Sequence, residues 1–388
     1  MVWRRKIGIF PWHLNQDIQL LQSGESFFND LLTRIRQANS SIYFQVYIFD
    51  PDTTGKIVYD ELLDAAKRGV KIFLYLDAFG SKDFPSSWET TLKQNGASIE
   101  FFSRFKLAFR YHIGIRLHHK IMVFDEQIAL LGGINISDHY SHFGNQKTWL
   151  DFAVRIEGNT VKDLLKICLQ IENGFSPLSK SDKEKLVYNN PSGLVKARVL
   201  QNYWLFAKFG ISRQYRQNIR KSREEILIVA SYFVPSPALK RILKRAALRG
   251  VKVRLVLGSI SDVGLVKHAS HFFYSDLLKS GVEIWEWQPS VLHAKLAFVD
   301  HQWMSIGSYN LNYLSDFGST ECNIEIFDKP FQQECLNQIN VLLKKDATKI
   351  DTDVYLRERN WFIKIRNFLS YRILSASLKI LFYFQKTK

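Results

Sequence analysis

Short apolar runs separated by longer amphipathic stretches are the main pattern along the chain. Two of these runs are SIYFQVYIF at 41–49 and EILIVASYF at 225–233. Each is followed by a helical stretch that ends at a glycine, then by a second apolar run, a further helix and a glycine-led strand. Strands that alternate with helices are typical of βαβ units. The pattern therefore predicts an α/β fold with a mixed, mostly parallel sheet, flanked by helices, in each half.

The two halves of this pattern are related in sequence. Residues 65–76 read AAKRGVKIFLYL, and residues 246–257 read AALRGVKVRLVL. A repeat of this length is too long for a solenoid unit, so it predicts two fused copies of one domain. We predict a first domain at 1–175, a polar linker at 176–194, a second domain at 195–350 and a basic, aromatic helical tail at 351–388.

The composition is that of a globular protein with a strong basic excess. Of the 388 residues, 46% are hydrophobic and 23% are charged, which excludes a disordered or collagenous chain. Lys and Arg number 53 against 37 Asp and Glu, a formal net charge of +16. Such an excess predicts an anionic partner, which could be nucleic acid, a lipid surface or a phosphorylated substrate.

The cysteines and the N-terminal segment indicate the cellular compartment of the protein. Cys168, Cys322 and Cys335 are far apart, so we expect neither a disulfide framework nor a thiolate metal site. The apolar run at 7–10 is shorter than the roughly 7–15 residues of an export signal. No stretch approaches the roughly 18–20 apolar residues that span a bilayer. These features predict a cytoplasmic protein.

One motif occurs once in each half. RLHHKIMVFDEQIALLGGIN at 116–135 and VLHAKLAFVDHQWMSIGSYN at 291–310 both fit H-x-K-x4-D-x6-G-[GS]-x-N. Its fixed positions are His118, Lys120, Asp125, Gly132, Gly133 and Asn135 in the first copy, and His293, Lys295, Asp300, Gly307, Ser308 and Asn310 in the second. Two matches at identical offsets inside a duplicated domain are not a chance event, so the motif predicts a shared function.

Strand geometry separates the motif residues into two groups. Side chains at i and i+2 share one face of a strand, so each histidine points the same way as the lysine two residues later. Asp125 and Asp300 lie seven residues beyond their histidines, an odd offset, which favours a structural or orienting role for them within the motif.

The end of each motif has residues suited to phosphate. Asn135, Ser308 and Asn310 can donate hydrogen bonds to phosphate oxygens. Gly132 and Gly307 have no side chain, which would let the backbone approach a ligand closely. We therefore expect a phosphate-binding site at this end of the motif.

A further acid recurs after each motif. Alignment of the strands at 152–156 and 322–326 places Asp151 opposite Glu321. A carboxylate behind an imidazole fixes the tautomer of the ring and stabilises the imidazolium. We predict that these two acids orient the motif histidines.

The doubled H-x-K-x4-D motif resembles that of the phospholipase D superfamily. HHKIMVFDEQIALLGGIN, WLDFAVRIEG and the YFVP at 232–235 are most similar to bacterial cardiolipin synthases, of the shorter type without N-terminal transmembrane helices. The resemblance implies two tandem, pseudo-two-fold related domains with one active site at their junction. It also implies that one histidine forms a phosphohistidine and the other acts as general acid and base, with His118 favoured as the nucleophile. The residues alone do not decide between the histidines. The resemblance counts His118, Lys120, Asp125, His293, Lys295 and Asp300 as catalytic.

The implied reaction makes cardiolipin from phosphatidylglycerol and a second phospholipid. The expected partners are phospholipids and an anionic membrane surface, with the protein peripheral on the inner face of the cell membrane. No cofactor, metal or nucleic acid is expected. The alternatives are a phospholipase D that delivers the phosphatidyl group to water, and a metal-independent nuclease, which the charge of +16 permits.

Two basic, aromatic segments are candidates for membrane contact. The tail from Trp361 is predicted to be either a helix packed on the domains or an interfacial anchor. The first half also has about ten extra residues within 103–116, which include Arg104, Lys106, Arg110 and Arg116. This insertion is either a solvated loop or a contact for substrate or membrane.

Overall fold

The computed structural model of the chain describes residues 8–103, 116–174, 178–188, 193–203, 210–358 and 360–386. Most of the basic insertion lies outside the described residues, so its contact with substrate or membrane stays a prediction.

The first half and the connecting segment contain eight described strands and five helices. The strands are β1 (His13–Gln22), β2 (Ser41–Val46), β3 (Lys71–Asp77), β4 (Ser98–Phe102), β5 (Arg116–Leu117), β6 (Lys120–Phe124), β7 (Ile128–Gly132) and β8 (Phe152–Gly158). The helices are α1 (Glu25–Gln37), α2 (Thr53–Lys67), α3 (Ser86–Gln94), α4 (Asn159–Glu172) and, in the connecting segment, α5 (Lys180–Lys185).

The second half repeats this order and adds elements at its end. Its strands are β9 (Val195–Asn202), β10 (Glu225–Ala230), β11 (Lys252–Gly258), β12 (Glu283–Trp287), β13 (Lys295–Val299), β14 (Trp303–Gly307), β15 (Ser319–Ile326) and β16 (Ala347–Lys349). Its helices are α6 (Gly210–Lys221), α7 (Pro237–Leu248), α8 (Gly264–Leu278), α9 (Tyr313–Phe317), α10 (Lys329–Asp346), α11 (Thr352–Glu358) and α12 (Trp361–Lys386).

A single sheet runs through both halves. The order β4-β3-β2-β6-β7-β8-β1 in the first half is repeated as β12-β11-β10-β13-β14-β15-β9 in the second. The two series meet where β1 pairs antiparallel with β9, with His13 opposite Ala197. The predicted α/β class and the tandem, pseudo-two-fold arrangement are therefore confirmed.

The strand directions differ from the mostly parallel sheet that the repeat predicts. β2-β3-β4 and β10-β11-β12 are parallel, as expected for βαβ units. Most other neighbours are antiparallel, because β6–β7 and β13–β14 are hairpins with very short connections. Each hairpin turn has an aspartate in the left-handed region, Asp125 at φ 48° and Asp300 at φ 52°.

Helices cover both faces of the sheet. On β6, Ile121 and Val123 face one core, whereas Met122 and Phe124 face another. The first core contains α4, α10 and strands of both halves, so it joins the halves into one body. On the other face each half has a core of its own, with α1, α2 and α3 in the first half and α6, α7 and α8 in the second.

The described part of the connecting segment, 178–188, packs on the first half. The Nζ of Lys185 donates to the hydroxyl of Tyr43, and the hydroxyl of Tyr188 donates to Asp163. Both partners belong to the first half. The predicted domain limits stay a prediction.

The tail forms helix α12, which has one packed side and one exposed side. Tyr371 stacks on Phe272 of α8 with ring centroids 4.7 Å apart. The opposite side presents a row of apolar residues that are each about half exposed: Phe362, Ile365, Leu369 and Ile373. The helix is thus packed on the second half and still has an apolar outer row. Among the residues that the structure describes, no helix is both long enough and apolar enough to cross a membrane.

Candidate active site

Each motif histidine lies on a segment that pairs with the other half of the molecule. β5, directly before His118, pairs in parallel with the start of β15, and the N–H of His118 donates to the carbonyl of Thr320 at 3.0 Å. In the reciprocal position, the N–H of His293 donates to the carbonyl of Leu150 at 2.8 Å. These two crossings bring the motifs to the junction of the halves.

The orienting acids are exchanged between the halves. Nδ1 of His118 lies 2.9 Å from Glu321, and Nδ1 of His293 lies 2.6 Å from Asp151. Both carboxylates are fully buried. We assign a proton to Nδ1 of each ring, from which it is donated to the carboxylate in a hydrogen bond. This leaves Nε2 as the reactive nitrogen. Each histidine is therefore completed by an acid of the opposite half.

The two motif lysines are buried beside these rings. The Nζ of Lys120 donates to the carbonyl of His118 at 2.5 Å, and Lys295 makes the same contact to His293. Burial, together with the nearby charge of Lys295, lowers the pKa of Lys120 to about 7. Burial also lowers the pKa of Lys295. The effect of Lys295 on the pKa of Lys120 indicates that the two buried ammonium groups belong to one site.

Burial likewise disfavours the charged form of both imidazoles. It lowers the pKa of His118, although Glu321 opposes the shift. Burial and the adjacent Lys295 lower the pKa of His293 to about 3, against the opposing effect of Asp151. In the absence of an anionic ligand both rings are therefore neutral near pH 7.

The motif aspartates are not part of this cluster. Asp125 lies beyond the far end of β6 from His118 and accepts hydrogen bonds from the backbone N–H groups of 39–41. Asp300 does the same with 223–225. The structure thus does not bring them to the imidazoles, and their inclusion among the catalytic residues stays a prediction. Their contacts support the structural role that the odd offset favours.

The residues expected to bind phosphate make internal hydrogen bonds. Ser308 donates from Oγ to Glu321 at 2.5 Å, behind His118. The Oδ1 of Asn135 accepts from the N–H of Ile48. The corresponding oxygen of Asn310 accepts from a serine hydroxyl at 2.7 Å. These contacts hold the loops around the site, and a contact with phosphate stays a prediction.

A steric reason explains the one difference between the two motifs. A Cβ at Gly133 would lie 2.4 Å from the carboxylate of Asp151. In the second half the equivalent side chain, Ser308, instead donates to Glu321. The space behind each imidazole is therefore filled in one of two ways. One half has a glycine beside an aspartate, Gly133 and Asp151, and the other has a serine beside a glutamate, Ser308 and Glu321.

The other motif glycines serve the sheet rather than a ligand. A Cβ at Gly132 would lie 2.5 Å from the Cα of Ala153, and one at Gly307 would lie 2.2 Å from the carbonyl of Cys322. Both neighbours belong to the adjacent strand. These glycines therefore allow close packing of neighbouring strands, and not the approach of a ligand that we expected.

Aromatic rings enclose His293 more than His118. The ring centroids of Tyr140, Tyr232 and Trp149 lie 5.3, 5.8 and 6.0 Å from that of His293. The side chain of His293 is 6% exposed, compared with 15% for His118. Tyr232 and Trp149 had a signal in the sequence, because they belong to the YFVP and WLDFAVRIEG segments, whereas Tyr140 belongs to neither.

Two histidine–lysine pairs, each histidine backed by a buried acid, in a duplicated α/β fold define a phospholipase D-type protein. The family described as "Cardiolipin synthase, PLD-like domain" matches residues 31–164 and 215–343. The chain belongs to this family.

Individual relatives agree with this assignment over most of the chain. Cardiolipin synthase B of Salmonella typhimurium is 32% identical over 368 residues, which cover 94% of this chain and 89% of that protein. The Escherichia coli K12 protein of the same name is 30% identical with the same coverage. The crystal structure of phosphatidylserine synthase from Haemophilus influenzae Rd KW20 has a TM-score of 0.72, covers 97% of both chains and is 14% identical. That structure shows the shared fold.

Proposed function

We propose that the protein is a phosphatidyltransferase that makes cardiolipin from phosphatidylglycerol and a second phospholipid. The observation that carries the proposal is the reciprocal pair of hydrogen bonds, His118 to Glu321 and His293 to Asp151. Two oriented imidazoles at one site suit a double displacement at phosphorus. The relatives named cardiolipin synthase support the choice of lipid.

In the first step Nε2 of His118 attacks the phosphorus of the donor lipid. A P–N bond forms, the P–O bond to the headgroup alcohol breaks, and His293 gives its Nε2 proton to the leaving oxygen. His293 must be protonated for this step, and the negative charge of a bound phosphodiester favours that form. The product is a phosphatidyl-histidine.

In the second step the hydroxyl of another phospholipid attacks the same phosphorus. His293 accepts the proton of that hydroxyl, the P–N bond breaks and His118 is restored. The greater exposure of His118 supports its role as nucleophile, since the attacking nitrogen must reach the phosphorus in line with the leaving group.

The ammonium groups of Lys120 and Lys295 neutralise charge on the non-bridging phosphoryl oxygens. Both are buried, where a cation stabilises a developing negative charge more strongly than in water. This role requires no metal ion or cofactor.

The enzyme works at the inner face of an anionic membrane. The apolar outer row of α12 and the exposed cations Lys364, Arg366 and Arg372 support this location. Each cation near an anionic leaflet contributes about 1 kcal/mol to binding.

The test is expression in a bacterial host that lacks cardiolipin, followed by lipid extraction and mass analysis. Appearance of cardiolipin is the expected result, and the His118→Ala variant is the control. Phosphatidic acid without cardiolipin would favour the hydrolase. Metal-independent release of acid-soluble fragments from labelled DNA, with no lipid product, would favour the nuclease.

A further inference from the structure

Tyr47 forms a wall of the active site on the side of His118. It comes directly after β2, and the centroid of its ring lies 5.2 Å from that of His118. The Nζ of Lys120 lies over the face of the same ring, 5.3 Å from its centroid. An ammonium group is attracted to an aromatic face within roughly 6 Å. The ring therefore packs against both the histidine and the lysine of the first motif.

The loop after β3 holds Tyr47 in this position. The carbonyl of Tyr47 accepts the hydroxyl proton of Ser81 at 3.1 Å. A Cβ at Gly80 would lie 2.2 Å from that carbonyl and 2.9 Å from Cδ2 of the ring, so the loop can close on Tyr47 only with a glycine there. Burial and the charge of Asp77 raise the pKa of Tyr47 to about 12, and the ring is therefore uncharged near neutral pH.

The two motif lysines differ in the groups that surround them. The Nζ of Lys295 lies 2.8 Å from Nδ1 of His293 and 3.6 Å from the carboxylate of Asp151. Within the described part of the chain, no carboxylate forms an ion pair with Lys120. Its ammonium group instead contacts the carbonyl of His118 and the face of Tyr47. A buried cation without an ion pair gains most from an aromatic face, because that contact is stronger when the cation is desolvated.

The position equivalent to Tyr47 in the second half is a serine. Alignment of β2 and β10 by their pairing with β6 and β13 places Ser231 there. Its Oγ donates to Asn310 at 2.7 Å. A serine offers no aromatic face, so the ring is a feature of the lysine beside the proposed nucleophile.

The other ionisable groups around Lys120 act in both directions. Burial and the charge of Lys295 lower its pKa to about 7. Three acids oppose this fall: Glu321, Asp151 and Asp77. Burial lowers the pKa of His118 and that of His119, so both imidazoles are neutral near pH 7. The ring of Tyr47 acts in the same direction as the acids without adding a charge to the site.

We propose that Tyr47 is a positioning residue of the active site, whose ring face keeps the ammonium group of Lys120 charged beside the nucleophile. The inference rests on the proposed function, in which that ammonium neutralises a phosphoryl oxygen, and adds the residue that keeps it competent. Tyr47 acts through Lys120, by the face of its ring and not by its hydroxyl.

The test measures the pKa of Lys120 directly. Cyanate carbamylates neutral amines, so the pH dependence of the carbamylation of Lys120 gives its pKa, with the exposed Lys71 as internal reference. Mass analysis after digestion identifies each modified lysine. For Tyr47→Leu we expect the pKa of Lys120 to fall by about one unit, the size of a cation–π contact at a desolvated site. Tyr47→Phe keeps the ring and should change the pKa little.

A second variant keeps the shape of the side chain. Pentafluorophenylalanine at position 47 reverses the charge distribution of the ring face, so it should lower the pKa of Lys120 at least as much as Tyr47→Leu. Tyr75→Leu is the matched control. Tyr75 is a half-buried tyrosine of the neighbouring strand β3 that packs on the core joining the halves, and its replacement should leave the pKa of Lys120 unchanged.

The pH profile of kcat/KM is the second readout, with a short-chain phosphatidyl-p-nitrophenol as donor. Its leaving group departs without a proton, so the alkaline limb does not depend on His293 as acid. Tyr47→Leu should lower kcat/KM about tenfold at pH 8 and little at pH 5. A loss of equal size at every pH would show a purely structural role and overturn the proposal.

An unchanged pKa of Lys120 in Tyr47→Leu and in the fluorinated variant would also overturn the proposal, as would an equal fall in Tyr47→Phe. Failure of the proposed function gives a different result. The wild type would then release no p-nitrophenol at any pH, whereas carbamylation would still measure the effect of the ring on Lys120.

Discussion

At the scale of single residues, the two motif histidines act on the same phosphorus atom in the proposed mechanism. His118→Ala removes the nucleophile and His293→Ala removes the acid, so either change should lower turnover to near background, roughly 10³-fold or more. Because the two groups act as a unit, the double variant should be little worse than either single one. Steady-state rates of the three variants check this. A single variant with more than about a tenth of wild-type activity would contradict a shared site.

Gly133 and Ser308 pack differently behind the two histidines. We therefore expect exchange of glycine and serine at these two positions to lower activity by unequal amounts. Gly133→Ser should lower activity at least about tenfold, because its Cβ would displace the Asp151 carboxylate that orients His293. Ser308→Gly removes one hydrogen bond to Glu321. It should raise the activation free energy of the reaction by only about 1 kcal/mol. The kcat values of both variants, with circular dichroism to verify folding, provide the measurement. Equal losses would show that the carboxylate contacts do not control the imidazoles.

The low pKa of Lys120 predicts the alkaline limb of the pH profile. The group is charged below its pKa of about 7 and neutral above it. Since a neutral amine cannot neutralise a phosphoryl oxygen, kcat/KM should fall as the pH rises through about 7. A soluble short-chain donor avoids effects of pH on the membrane. A profile that is flat from pH 7 to 9 would exclude this role.

The motif predicted the residues of this site but not how they pair. Spacing on a strand places His118 and Lys120 on one face, and the structure has them there. The exchange of Asp151 and Glu321 was not predictable, because it depends on the crossing of β5 to β15. A strand of two residues leaves no periodic signal in the sequence.

At the scale of elements, the outer row of α12 predicts a specific loss of membrane binding. Ile365→Asn with Leu369→Asn removes two apolar side chains that are each about half exposed, and it should weaken binding to anionic vesicles by about tenfold or more. Activity on a soluble short-chain donor should change little. Vesicle co-sedimentation at two salt concentrations measures the first effect.

Val341→Asn is the matched control for this experiment. Val341 is 68% exposed and lies on α10, outside the apolar outer row of α12, so its replacement should not change vesicle binding. If the double α12 variant bound vesicles like the wild type, the membrane contact would have to lie elsewhere, and the insertion at 103–116 would be the next candidate.

The elements themselves were predictable to different degrees. The βαβ repeats and their glycine helix ends follow from local sequence, and Gly69 and Gly250 indeed adopt φ near +90°. The prediction missed that most strand pairs of the sheet are antiparallel. A strand that is buried on both faces is apolar throughout, and this pattern does not show whether its neighbours run parallel or antiparallel to it. The packing of the tail on the second half was one of its two expectations, and its role as an interfacial anchor stays a prediction. Helical periodicity gives two faces, and only the neighbour, α8, decides which of them is covered.

At the scale of the whole molecule, both histidines and both acids must belong to one folded chain. A mixture of His118→Ala and His293→Ala proteins should therefore show no more activity than either alone. Rates measured at several protein concentrations test this. Recovered activity that increases with concentration would mean that two chains exchange halves to build the site.

The exchanged acids also order events during synthesis of the protein. The ribosome makes His118 long before residue 321, so the nucleophile of the first half emerges without the carboxylate that orients it. Asp151 in turn awaits His293. In the proposed mechanism a nascent first half thus has neither an oriented nucleophile nor its proton donor. In that mechanism activity begins only when the second half folds against the first and supplies Glu321 and His293.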